Sequence, residues 1–412
     1  MNLFRHELKK IWNPRILLLI AALAVLVWFT MLRGLLNSYE SLGTHGGYGS
    51  HQRELFERYG DTLEPEEWAA YDVPGRKAAL ESEMNALIAD DPRFAEYGVR
   101  DYREYRAFAE RSTEGMNDRQ TAQFLEAAGD MQDRLSLRRD GQTLDEFYAS
   151  PQIQMQTLEA LESAYAEYGP TLQTIIARDE RPVVVEAAEQ ILKRHNDSLI
   201  RVDLCETVSM YAATIGVFAI AATLLLTGVP LARDRARNIY LIQYSSQTGR
   251  RILFVQGAAM LASGCAVSLL SIVIGSLPLI AAGMGDYAHA SIQSFTYFEM
   301  GLYDMTFGRY ALVLAGMIVL MCAASAGLAF ILAKFSANLI TMLIKLVPTG
   351  IALSGLAVLA ISRAFSFHNI LFSGVLRGRV AMPEPILCAA LAAIGLAGAL
   401  WVALREKKAD VS

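Results

Sequence analysis

The chain is 412 residues long, 53% hydrophobic and 19% charged, with a formal net charge of −5. Those averages hide a segregation: Asn37–Leu204 carries 33 acidic and 18 basic residues, whereas the remainder carries 9 acidic and 19 basic. Such asymmetry within one chain separates two environments. It excludes a uniformly basic nucleic-acid binder, and the acidic segment, which holds no cysteine, excludes a disulfide scaffold.

The chain opens on Phe4, Leu8, Ile11 and Trp12 at helical spacing, with Arg5, Lys9 and Lys10 elsewhere on the wheel. Asn13-Pro14 ends the pattern. Residues 1–14 therefore read as an amphipathic helix lying in the headgroup layer, its lysines toward anionic lipid. Six stretches are then long and apolar enough to cross a bilayer, which needs about 20 residues. They fall near Arg15–Leu36, Cys205–Leu231, Ile252–Met284, Arg309–Ala333, Ala337–Ile361 and Pro385–Leu404. The third is too long for one straight span and predicts a tilted or interfacial end. The first is longer than a signal-peptide core and lacks a small-x-small cleavage site, so it reads as a retained span. The fold class is all-α, polytopic and membrane-embedded.

Between the first two spans, residues 37–204 start with a glycine-rich stretch and then turn helical. Phe124, Ala128, Met131 and Leu135 follow a 4-3-4 spacing. So do Val184, Ala188, Ile191 and His195, continuing to Leu199 and Val202. These stripes predict a bundle of amphipathic helices whose last member runs unbroken into the second span. Glu206, opening that span, is expected at its outer interface.

Basic residues in short loops set orientation. Thirteen fall on one side (Arg5, Lys9, Lys10, Arg15, Arg233, Arg235, Arg237, Arg250, Arg251, Lys334, Arg405, Lys407, Lys408) and five on the other (Arg33, Arg309, Arg363, Arg377, Arg379). Both termini, including the 405–412 tail, are expected in the cytoplasm of a bacterial-type plasma membrane, with residues 37–204 outside. Arg363–Arg379 runs against the trend.

Chemistry is sparse. The sequence has no Gly-x-x-x-x-Gly-Lys-Ser/Thr loop, no His-Glu-x-x-His, no Gly-x-Ser-x-Gly elbow and no Cys-x-x-Cys. The reading is a non-enzyme without cofactor, metal or nucleic-acid partner. Lys345 and Pro348 stand out inside the fifth span, as a pathway or interface feature or as a lysine that snorkels to the membrane edge.

Five arginines fall between Pro230 and Arg251, in the cytoplasmic loop 232–251. Leu231–Tyr244 predicts a short helix with Arg233, Asp234 and Arg237 exposed and Ala232, Ala236, Ile239 and Tyr240 on another face. Ser245-Ser246-Gln247-Thr248-Gly249 then turns the chain, and Arg250-Arg251 opens the third span. This stretch resembles the cytoplasmic loop of bacterial type-2 ABC exporter permeases, which carry an acidic residue, a short helix and then Ser-Ser/Thr-x-x-Gly-Arg. Asp234, Ser245, Ser246, Gly249 and Arg250 occupy those places. The sequence departs at Asn238, where relatives often have glycine, and at Asp234, where glutamate is commoner. The resemblance implies docking of a separate ABC ATP-binding subunit on this loop, a second permease chain completing the pathway, and substrate moved outward by ATP hydrolysis on the partner. Two other readings are a sensor or resistance module that detects peptides or envelope components through the external bundle, and a structural membrane assembly protein.

Overall fold

The computed structural model describes residues 2–37, 50–137, 144–194, 198–200, 202–237, 239, 249–295 and 301–408, and the statements below concern those residues. They are helical, joined by turns and loops, and strand pairing is confined to three isolated bridges. Six helices are long and apolar enough to cross a membrane: Pro14–Asn37, Leu204–Ala236, Ile252–Ala281, Phe307–Lys334, Leu339–Ile361 and Pro383–Lys407. Each matches one stretch expected from hydropathy. The overlong third stretch resolves into a helix ending at Ala281, a left-handed Gly283 and a short 3-10 turn at Met284–Tyr287.

The spans are not equivalent. The most apolar window of the second is 72% buried within the chain, whereas that of the first is only 11% buried. The second is therefore the central post, packed on the third, fourth and fifth through residues such as Ala219, Ile220, Leu224 and Met321. The first is a peripheral helix with an open apolar face that includes Leu18 and Phe29. Fourth and sixth spans cross closely where glycines face each other: a Cβ on Gly327 would lie 2.5 Å from the Gly395 carbonyl carbon. Small residues at such a crossing let two backbones approach, which is how helices gain packing energy in lipid.

Loops at one end of the bundle merge with the 50–200 unit. Phe295, from the connection after the third span, packs with Leu158, Leu161 and Leu199 and lies edge-on to Tyr165. Leu302 and Phe372, from the two connections at that end, pack with Leu172, Val184, Ala188 and Ile191. Val184, Ala188 and Ile191 thus bury as read; of the other stripe Met131 and Leu135 are buried, whereas Phe124 and Ala128 are half-buried.

One expectation is corrected. The last helix of the 50–200 unit, Pro182–Arg194, does not continue into the second span. Ser198–Ile200 is non-helical, with Ser198 bridged to Thr62 and the Leu199 N–H donating to the Asp61 carbonyl at 3.0 Å. Ser198 Oγ donates to the Ser291 carbonyl at 2.8 Å, and short polar side chains of this kind compete with helical backbone bonds. His195 lies outside the described residues.

Candidate partner-docking end

At the opposite end lie the amino-terminal helix Asn2–Ile11, the ends of the second, fourth and sixth spans, and the start of the third. The amino-terminal helix packs mainly on the third span, and Trp12, just beyond it, donates its indole N–H to Ser263 Oγ at 3.1 Å. Asn13 then caps the first span by accepting from the Arg15 N–H at 3.0 Å, with Pro14 in the first turn, where a missing N–H costs nothing.

The second span's helix runs unbroken from Val202 to Ala236, through Pro230. Leu231–Ala236 is accordingly the last part of that helix and not the opening of a separate one. Arg233 and Arg237 are exposed, as expected, and Ile239 is half-buried. Asp234 differs from expectation: it is buried and forms an ion pair with Lys10, which also lies 3.5 Å from Glu7. The amino-terminal helix covers this side of the second span, and a covered carboxylate needs a counter-charge. Burial pushes the Lys10 ammonium below its ordinary value, and Glu7 works in the opposite direction. Glu7 is itself buried, so one helix places both an acid and a base against the end of the second span.

Gly249 has φ +54, a left-handed backbone that glycine adopts without a Cβ penalty, and it opens the 3-10 turn Gly249–Arg251 that holds Arg250. Tyr240, Ser245, Ser246 and Asn238 lie outside the described residues. Along the same end, Lys334 sits over the Phe330 ring and Arg405 over the Trp401 ring. Lys345 reaches back along the fifth span, and its ammonium donates to the Phe335 carbonyl at 2.7 Å. The charge is thus delivered to the end of the fourth span. Pro348 is exposed on the fifth span, where it removes one helical donor.

The far end carries the charge that ran against the trend. Arg363 donates from Nε and Nη2 to Glu206 Oε1 at 3.0 and 2.5 Å, and its N–H donates to Ser209 Oγ at 3.0 Å. The arginine is thus answered by an acid on the neighbouring span. Two buried groups there escaped notice in the sequence. Asn369 fastens the turn through the Leu359 and Ser362 carbonyls, and Glu384 Oε1 accepts from the Phe365 N–H at 3.1 Å. The local signal was Pro383-Glu384-Pro385, an acid held between prolines at a helix start. Compared with protein-family models, curated proteins and solved structures, the chain matches none.

Proposed function

We propose that the chain is the membrane-spanning subunit of an ATP-driven exporter in a bacterial-type plasma membrane. A separate ABC ATP-binding subunit docks on the 232–251 loop, and a second permease chain completes the pathway. In this reading the termini are cytoplasmic, the amino-terminal helix lies at headgroup level and the 37–204 unit is external. The observation that carries it is the ion pair between Lys10 and Asp234. It fastens the amino-terminal helix to the end of the second span, just where the loop resembling a coupling element departs. A push on the loop would then tilt the second span and the amino-terminal helix together. Exposed Arg233 and Arg237 offer charge to the partner, and the left-handed Gly249 supports the tight turn that the resemblance calls for. A sensor reading draws on a different observation, the packing of the 50–200 unit onto the connections after the third and fifth spans through Phe295 and Phe372.

The test is co-purification with a co-expressed ATP-binding subunit, alongside stimulated ATP hydrolysis. Gly249→Val forces a β-branched residue into a left-handed backbone, and Ile239→Asp puts a carboxylate in the contact. Each is expected to lower partner recovery and stimulated hydrolysis at least tenfold, a loss of about 1.4 kcal/mol or more, with membrane insertion intact. Normal recovery and hydrolysis in both variants would leave the loop as a simple connector.

A further inference from the structure

A groove of about 620 Å³ runs between the first, second and third spans, walled by residues such as Leu17, Trp28, Phe218, Leu270 and Ile274. Its few polar wall groups are already engaged: the Trp12 indole donates to Ser263, and Ser271 Oγ donates to the Val267 carbonyl at 2.7 Å. Whatever occupies it is therefore hydrocarbon along its length. From Leu17 to Leu32 the first span advances about 22 Å at 1.5 Å per residue, so the groove follows the bilayer normal for much of the ~30 Å hydrocarbon core. The acyl chains of one leaflet span half of that core, so an extended chain lies within the length of the groove.

The end of the groove nearest Trp12 supplies a headgroup preference. Lys10 there is paired with both Glu7 and Asp234. The charged side chains left exposed on the amino-terminal helix and the first turn of the first span are Arg5, Lys9 and Arg15, all positive. We propose that this groove is a binding site for one anionic glycerophospholipid, an acyl chain lying along the first span and the phosphate at Lys9 and Arg15. The site rests on the headgroup-level position proposed above for the amino-terminal helix. It is independent of whether an ATP-binding subunit docks.

Native mass spectrometry of the full chain in mild detergent tests the site, with phosphatidylglycerol or phosphatidylcholine added at equal concentration. One phosphatidylglycerol per chain is expected, retained at least fivefold more than phosphatidylcholine. Lys9→Gln combined with Arg15→Gln is expected to bring the two lipids level, and Ala24→Trp, which fills the groove, to abolish retention of both. Equal retention of the two lipids by the native chain, or undiminished phosphatidylglycerol on Ala24→Trp, overturns the proposal. A second measurement leaves the groove intact. In a Trp401→Phe background, Trp12 and Trp28 are the tryptophans at membrane depth, and phosphatidylglycerol with brominated chains is expected to quench them saturably at one lipid per chain. Quenching that rises linearly without saturation overturns the site. No ATP-binding subunit enters either measurement, so the lipid site and the exporter reading fail separately.

Discussion

His51 shows how one side chain sets a condition on stability. It opens the helix Ser50–Tyr59 and is buried, with Nδ1 2.9 Å from the Tyr71 hydroxyl and Nε2 3.3 Å from the Gln154 carbonyl. The carbonyl only accepts, so Nε2 carries the proton, and the Tyr71 hydroxyl proton is shared between Nδ1 and Glu54, 3.1 Å away. Arg76 holds Glu54 through two nitrogens, and its guanidinium lies 3.8 Å from the Tyr71 ring centroid. Burial, helped by Arg76, lowers the His51 pKa below the ordinary 6.5. The unfolded chain then binds the extra proton more readily, so this contribution is present above pH 6.5 and is lost as pH falls through the folded value. Thermal unfolding of the full chain in detergent is expected to shift downward by several degrees between about pH 7.5 and about pH 5.5, and His51→Gln to flatten part of that slope. An unchanged slope in His51→Gln would remove the histidine from the account. Nothing in the local sequence announces this network, since its members come from residues 51, 54, 71, 76 and 154. Asp234 has the same explanation. A helical wheel places it with the exposed arginines, and its partner Lys10 lies 224 positions earlier.

Helices were legible wherever one physical signal dominated. Hydrophobic length located all six spans to within a few residues, because in lipid a run of backbone polar groups has no alternative to the helix. The stripe Val184, Ala188, Ile191 was also legible, but its end was not. Leu199 continues the 3.6-residue pattern yet is buried from a non-helical segment, where its backbone finds Asp61. Periodicity reports which side chains are buried, and several backbones satisfy that. Close helix crossings are a further case of information absent from the pattern, as the glycines of the fourth and sixth spans show. A Cβ on Gly395 would lie 2.8 Å from the Ala324 carbonyl oxygen, whereas one on Gly355 has no neighbour within 4 Å. Gly395→Leu is expected to cost about 1–3 kcal/mol by overpacking, lowering the melting midpoint of the detergent-solubilised chain by several degrees. Gly355→Leu is expected to leave it unchanged or raised. Equal midpoints for the two variants would mean the crossing relaxes freely.

Seen whole, the molecule divides its polar surface between two ends. Six spans and the packing of the 50–200 unit on the connections after the third and fifth spans place the termini together at one end and the acidic unit at the other. In the proposed orientation the end that carries the termini faces the cytoplasm, in line with the thirteen-to-five asymmetry of basic residues. The native cysteines all fall in or at the ends of spans, and in a background without them single cysteines at Ser112 and Ser246 are expected to label oppositely with an impermeant thiol reagent. Labelling of Ser246→Cys from outside intact cells would invert the topology. The seam where Thr62 meets Ser198 bears on how such a chain tolerates change. It brings residue 62 beside residue 198, so the chain between them is a closed loop, held further by its packing on Phe295 and Phe372. Closing a longer loop adds only about 0.6 kcal/mol for each doubling of its length. Residues inserted or deleted inside that loop, away from the faces that meet Phe295 and Phe372, leave the six spans in register, and the unit is free to diverge in size while the membrane bundle stays as it is.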